Sequence, residues 1–441
     1  MSDTLKHTLL FVGVGLLLVL EGTTTAFGVF SGSWNSSLTI LNMGLISAIM
    51  ALGVNLQWGF AGLFNVGIMG FTALGGLAVV LTSMSPTPGA WEAGGQQILM
   101  ALVLGAATIG LAILAYQKMT AGLARTAAML AILIVGFVIY RAVLDPGVEA
   151  VEGINAALEG NIGGLGLPVL MAWPLGGLLA AGVAWLIGKT ALGLRSDYLA
   201  IATLGIAEII IAVLKNEDWL SRGVKNVVGL PRPLPYEVDL QGDPAFVEKA
   251  ASWGLDATTA STIYVKLGYS ALFAIVLLVL LWMAQMALKS PWGRMMRAIR
   301  DNEVAANAMG KHVTRRHLQI FILGSAICGV AGAMMTTLDS QLTPGTYNPL
   351  RFTFLIWVMV IVGGSGNNFG AVLGGLLVWF LWIKVEPLGV LVIEMITSGM
   401  AEDSGLRAHL LESAAHMRLF TMGLILLLVL RFSPRGLIPE T

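Results

Sequence analysis

Apolar runs of about 17–25 residues, each long enough to cross a bilayer, recur along the chain. They predict spans near residues 8–30, 37–57, 62–83, 97–116, 126–143, 166–188, 197–214, 268–288, 317–337, 352–363, 370–385 and 415–431. The 352–363 piece is too short to cross alone, and Gly363, Gly364, Gly366 and Gly370 separate it from the next run. Broken helices persist at membrane depth only where protein or a water-filled cavity surrounds them, so a re-entrant or interrupted element is expected there. Ten to twelve crossings follow. An internal echo accompanies the breaks. GFAGLFNVGIMGFTALGGLAVVL at 59–81 and VGGSGNNFGAVLGGLLVWFL at 362–381 both falter at glycines and asparagines, then resume as GGL plus an apolar run. Transporters are often built from such repeats, with the broken helices lining the route.

One polar interval is unlike the others. From Ser290 to Thr314 the chain reads SPWGRMMRAIRDNEVAANAMGKHVT, with Arg294, Arg297, Arg300 and Lys311 set against Asp301 and Glu303. Pro291 suits a first helical turn and Gly310 an end. Met295, Ile299, Asn302 and Ala306 fall near one side at helical spacing, and Arg294, Arg297 and Asp301 near another. The spacing predicts an amphipathic helix of roughly four turns over 290–312, held at the membrane surface by flanking spans. An ordinary positive loop would share the charge, but closing a hairpin does not need a capped, two-faced helix.

Composition agrees with an all-α, polytopic membrane domain over 1–441. Of the residues, 56% are hydrophobic and 11% charged, against about 25% charged in a typical soluble domain. Net charge is zero, so distribution carries the information. The 117–125 and 189–196 connections are basic and free of acids, and 289–316 is strongly basic. By contrast, 144–165 carries Asp145, Glu149, Glu152 and Glu159, and 386–412 carries Glu386, Glu394, Glu402, Asp403 and Glu412 against Arg407. Basic and acidic connections alternate as the positive-inside rule requires, which puts both termini in the cytoplasm. The Pro-rich 215–267 stretch and the 386–414 stretch then lie outside as a periplasmic insertion and loop. The opening MSDTLKH lacks a small-residue cleavage site, so a retained first span is expected, with Glu21 near enough to the surface to be hydrated. Cys328 is the only cysteine, which excludes an intramolecular disulfide.

Motifs for catalysis fail on spacing. In GVAWLIGKT at 182–190 the first Gly is one residue too far from Gly188 for a phosphate loop, and in GGSGNNFG at 363–370 Phe369 sits where a dinucleotide fingerprint needs Gly. His7, His312, His317, His409 and His416 form no metalloprotease pair, and no G-x-S-x-G elbow occurs. These readings argue against an enzyme and against a nucleic-acid partner. Glu208 is more telling, because a mid-span charge must be paired, hydrated or protonated. It belongs either to a polar cavity or to a structural bond with a neighbouring helix. Asn55, Asn65, Asn367 and Asn368 lie beside glycines, where their amides serve to repair freed backbone or to bond a polar solute.

Taken together, these segments resemble the LivM-like membrane permeases of branched-chain amino acid ABC importers. RSDYLAIATLGIAEII at 195–210 is similar to the family's R-G-D-Y-L-A-I-x-T-L-G-x-x-E-I signature, and the basic stretch to its G-R-x-x-x-A-I-R-x-x-E-x-A-A-x-x-x-G loop. ALGVNLQWGFAGLFNVG at 51–67, VMVIVGGSGNNFGAVLGG and RFSPRGLIPE resemble further family blocks. The resemblance implies a cytoplasmic coupling helix docking on an ABC ATPase through Gly293, Arg294, Arg297, Ala298, Ile299, Arg300, Glu303, Ala305, Ala306 and Gly310. It implies a translocation path involving Asn55, Asn65, Tyr198, Thr203, Gly205, Glu208, Gly364, Gly366 and Asn367. The implied partners are a LivH-like second permease, two ABC ATPase subunits that bind ATP-Mg, a periplasmic solute-binding protein and membrane lipid, with no cofactor in this chain and a bacterial inner-membrane location. Ser196 replaces the family Gly, and NEDWLSRGVKNVVGLPRPL replaces a Gly-rich segment on the substrate side. Urea, short amides and other amino acids therefore stand beside branched-chain amino acids as solutes. The rivals are a self-sufficient secondary transporter, with Glu208 as its ion site, and a receptor whose basic loop anchors a cytosolic partner.

Overall fold

The computed structural model describes residues 3–25, 28–155, 160–400 and 404–440. Glu159, Glu402 and Asp403, counted above among the acidic loop residues, lie outside the described residues. In chain order the helices are α1 (Asp3–Thr23), α2 (Trp34–Ala61), α3 (Ile68–Ser83), α4 (Gln96–Lys118), α5 (Leu123–Glu152), α6 (Val169–Ala191), α7 (Ser196–Asn216) and α8 (Asp218–Ser221). There follow α9 (Glu237–Gly242), α10 (Pro244–Ser252), α11 (Ala257–Lys289), α12 (Pro291–Asp301), α13 (Glu303–Ala308) and α14 (Val313–Asp339). The last are α15 (Pro349–Gly363), α16 (Asn368–Ile396), α17 (Gly405–Glu412) and α18 (Met417–Phe432). Strand β1 (Val227–Val228) pairs antiparallel with β2 (Gln341–Leu342), Val227 opposite Leu342.

Each apolar run of the sequence falls on one helix of this all-α, multi-pass membrane protein. Among the described residues nine helices are long and apolar enough to cross a bilayer, while α3 and α15 are shorter apolar helices and α17–α18 form a pair bent by 60°. The interruption expected after 352–363 is present, since α15 ends at Gly363 and α16 begins at Asn368. Helix α15 begins at Pro349, near β2, and its far end meets the C-terminal tail, where Leu437 and Ile438 donate backbone N–H groups to the carbonyls of Val362 and Gly363 (both 2.9 Å). The tail thus completes the end of a helix too short to cross a bilayer by itself.

The centre is a close contact of α14 with α6, α3 and α2. Small residues permit it. A Cβ on Gly75 of α3 would sit 1.8 Å from the Gly329 carbonyl oxygen of α14, and one on Gly332 would sit 1.9 Å from that of Thr72. Without a hydrophobic force between helices in lipid, such close van der Waals approach is what holds a bundle together. Helix α2 is buried on nearly all sides, whereas α4 and α5 pack chiefly on each other at the periphery.

Several expected boundaries shift. Helix α5 continues to Glu152, taking Asp145 and Glu149 out of the loop, and Arg141 pairs with Asp145 one turn away (3.0 Å). Helix α16 continues to Ile396 through Pro387, so the 386–414 stretch opens as helix, with Glu386 neutralised by Arg418. The first span ends at Thr23, and Glu21 is not hydrated. It is fully buried, accepts hydrogen bonds from Ser31 and Ser36 (2.6 and 2.7 Å) and pairs with Lys384 of α16 at 2.5 Å. Removing one partner of a buried pair costs about 3–5 kcal/mol, whereas removing both is far milder. Lys384→Met should therefore lower the melting temperature of the purified protein in detergent markedly, and the Glu21→Gln/Lys384→Met double variant should recover most of the loss.

Candidate functional site

The basic segment is built on a cap and a close contact. Ser290 Oγ accepts a hydrogen bond from Trp292 N (3.2 Å), and Pro291 occupies the first turn of α12. The helix buries Gly293, Met296 and Ile299. A Cβ on Gly293 would lie 2.2 Å from the Leu288 carbonyl oxygen, so only glycine lets α12 fold back on the end of α11. Trp292 Nε1 donates to Gln319 of α14 (3.2 Å), so both flanking spans hold the segment.

The single four-turn helix expected over 290–312 is instead two helices, α12 and α13. Asn302 between them is extended (φ −156°), and its Oδ1 accepts from Ala305 N (2.9 Å). An Asn side chain competes with the helical backbone in this way and caps the next helix. The buried face is correspondingly turned: Met295 is only half-buried and Asn302 exposed. Arg294, Ala298, Glu303 and Ala305 face out, Arg297 and Ala306 are half-buried, and Val304 and Met309 are bare apolar side chains at about four-fifths exposure. Gly310 ends α13 in the left-handed conformation (φ 75°).

Arg300 points the other way. Its Nη1 donates to the Gly59 carbonyl at the end of α2 and to Glu440 in the C-terminal tail (2.8 Å), and its Nε to Asp301 (3.1 Å). Burial works against its charge, but the Glu440 and Asp301 carboxylates more than reverse this and hold the guanidinium pKa above its ordinary value. Around it lie both helix breaks. Asn55 Nδ2 donates to Asn368 Oδ1 (3.0 Å), and Asn55 Oδ1 accepts from Gly366 N (2.9 Å). Asn367 Oδ1 caps α16 by accepting from Phe369 N and Gly370 N (3.0 and 3.3 Å), and its Nδ2 donates to the Pro439 carbonyl (3.1 Å). Gly364 and Gly366 turn the chain at positive φ (121° and 82°). An open cavity of about 740 Å³ beside this junction is lined by Arg294, Arg297, Arg300, Ser365, Arg435 and Glu440.

The break between α2 and α3 has its own repair. Asn65 Nδ2 donates to Gln57 Oε1 (2.9 Å), its Oδ1 accepts from Gly67 N (2.9 Å), and its carbonyl accepts from Trp357 Nε1 (3.2 Å). Gln57 Nε2 donates to the Phe321 carbonyl and to Ser325 Oγ (2.9 and 3.1 Å). Thr203 Oγ1 accepts from Val66 N (3.1 Å), tying α7 to the break. Asn55, Gly364, Gly366 and Asn367 thus gather at Arg300, and Asn65 and Thr203 gather beside them. Tyr198, Gly205 and Glu208 do not. They are exposed on the outward side of α7, whose buried face is Leu199, Ala200, Thr203, Ala207, Ile211 and Leu214. Glu208 makes no hydrogen bond or ion pair among the described residues, so a structural bond to a neighbouring helix of this chain is not formed. Gln57, Gly59 and Glu440 were not singled out as site residues. Glu440 lies in the RFSPRGLIPE block, but nothing in that string indicates Arg300 as its partner. Among the described residues no three His, Cys, Asp or Glu side chains gather as a metal site.

Charge-assisted hydrogen bonds contribute about 1.5–3 kcal/mol each. Arg300→Ala should release the 433–440 tail, read as faster proteolysis there, and the Arg300→Glu/Glu440→Arg exchange should restore part of the protection that Arg300→Glu alone removes.

Comparison with known proteins gives the family. Residues 147–430 match the family described as "Branched-chain amino acid transport system / permease component". The chain is 30% identical over 238 residues to the high-affinity branched-chain amino acid transport system permease protein LivM of Salmonella typhimurium, covering 52% of this chain and 54% of that protein. It is 26% identical over 293 residues to the probable branched-chain amino acid transport permease protein LivM of Methanocaldococcus jannaschii (66% and 74% covered). It is 24% identical over 193 residues to that organism's probable LivH permease (41% and 60% covered). The chain therefore spans about half the length of the Salmonella relative. No solved structure matches it significantly. The family match takes in the basic segment, both helices that meet at the α15–α16 break and the α7 signature, and the chain belongs to the family of branched-chain amino acid transport system permease components.

Proposed function

We propose that this chain is a membrane-spanning subunit of an ATP-driven importer, passing a branched-chain amino acid or a related small polar solute across the bacterial inner membrane. The observation that carries the reading is the divided role of the basic segment. One side, through Arg300, grips the end of α2 and the C-terminal tail, and the other presents Arg294, Arg297, Val304 and Met309 to a partner. Such a segment can pass a rigid-body displacement from a docked ATPase to the helix breaks. ATP-Mg belongs to two ATPase subunits.

Orientation follows from the same end of the bundle. His7, Arg297 and Glu440 line one cavity, which sets both ends of the chain beside the basic segment. The positive-inside rule assigns that end to the cytoplasm. The opposite end, with α8–α10 and the β1–β2 pair, would receive a periplasmic binding protein. The outward side of α7 would face a LivH-like second permease, because Glu208 left in hydrocarbon would cost about 2.5–3.5 kcal/mol on insertion scales.

Co-purification in mild detergent tests the reading. An ATPase should be recovered with the wild-type chain, and Arg294→Glu/Arg297→Glu should reduce recovery about tenfold or more, since like charges across an interface cost several kcal/mol. Solute movement by the isolated chain in vesicles without ATP would overturn it.

A further inference from the structure

The cavity shared by His7, Arg297 and Glu440, about 380 Å³ in volume, is also lined by Gln285 and Lys289 at the end of α11 and by Asn368 at the start of α16. Most of this polar lining is unused within the chain. The side chains of His7, Gln285, Lys289 and Arg297 make no hydrogen bond or ion pair among the described residues. Asn368 is 1% exposed; its Oδ1 accepts from Asn55, but its Nδ2 is buried without a hydrogen-bond partner. A buried amide with free N–H groups is costly unless a bound water, ion or ligand meets it. The one carboxylate of the lining, Glu440, is already held by Arg300.

What is missing is negative charge. Lysine and arginine offer donors only, and the unmet half of Asn368 is a donor as well. The cavity also abuts the first residues of α16, a 29-residue helix whose N-terminus carries the positive end of its dipole. These groups converge at the ends of α1 and α11, two helices long and apolar enough to span, so the cavity lies at the level where lipid headgroups meet water. Phe60, Leu288 and Phe369 supply apolar surface beside the donors, and Phe369 is 43% exposed. Basic pockets between spans at this level take phospholipid headgroups. We propose that the cavity binds the phosphate of an anionic phospholipid. Lys289 and Arg297 meet its charged oxygens, and the free N–H of Asn368 is a third donor. The lipid thereby ties the start of α1 and the end of α11 to the α15–α16 break that carries Asn368. The inference goes beyond the importer reading and needs only the membrane-spanning fold.

Lipid titration of the purified full-length chain in a non-ionic detergent tests it, with bound lipid counted by native mass spectrometry and the melting temperature followed in parallel. A single dioleoylphosphatidylglycerol should be retained per chain and should raise the melting temperature. Dioleoylphosphatidylcholine, whose own cation offsets the phosphate, should bind more weakly. Lys289 is exposed, so Lys289→Gln should leave the fold intact and raise the phosphatidylglycerol concentration for half-occupancy about tenfold, the equivalent of one charge-assisted hydrogen bond. Lys118→Gln, at the end of α4 and away from the cavity, should change nothing. Equal weakening by the two variants, or weakening by neither, would reduce the effect to diffuse surface charge and overturn the site. Inorganic phosphate that matched the stabilisation by phosphatidylglycerol, with the same dependence on Lys289, would keep an oxyanion site and overturn the lipid as its occupant.

Discussion

A helix that stops inside a membrane protein leaves its last carbonyl groups without intrahelical partners, and in hydrocarbon each unmet group costs several kcal/mol. Helix α2 stops at Ala61, and the carbonyl of Gly59 is met by the guanidinium of Arg300, a residue far along the chain on the basic segment. The same guanidinium holds Glu440 of the tail, and the tail in turn completes the end of α15 through Leu437 and Ile438. One side chain therefore joins three otherwise incomplete ends. Nη1 carries two N–H donors and serves Gly59 and Glu440 together, while Nε is taken by Asp301.

The asparagines extend this repair. Asn55 bridges to the α15–α16 break, Asn367 caps α16 and reaches the tail, and Asn65 closes the turn before α3. The amides of Asn55, Asn65 and Asn367 are occupied by backbone, by Gln57 and by Asn368, which makes the breaks firm hinges, whereas Asn368 Nδ2 is buried without a hydrogen-bond partner. A displacement applied at α12 would then arrive at both breaks at once. The two breaks, similar in sequence, also touch in space at Asn55 and Gly366, as facing halves of a repeat would.

Charged groups within the spans divide by whether this chain answers them. Glu21 and Lys384 lie far apart in sequence and satisfy each other at the meeting of α1 and α16. Glu208 is unanswered and faces outward with Tyr198 and Gly205. The difference distinguishes a carboxylate that fastens an N-terminal helix to the core from one that faces outward with no ion pair among the described residues. Close helix contacts at Gly75, Gly329 and Gly332 keep the centre dense.

Hydrophobic run length, loop charge and the spacing of glycines and basic residues determined the class, the order of the apolar helices, the existence of the breaks and the position of the basic segment. These are local properties, set by what a stretch of chain must do to meet lipid or water. The partners were decided only in three dimensions. That Arg300 turns inward while Arg294 faces out, that Asn302 divides the segment, that Glu21 is buried on Lys384 and that Glu208 is left bare depend on which helices become neighbours. A carboxylate in an apolar run reads the same whether a lysine hundreds of residues away covers it or nothing does, because the desolvation that makes it matter is a property of the packed protein and not of the run.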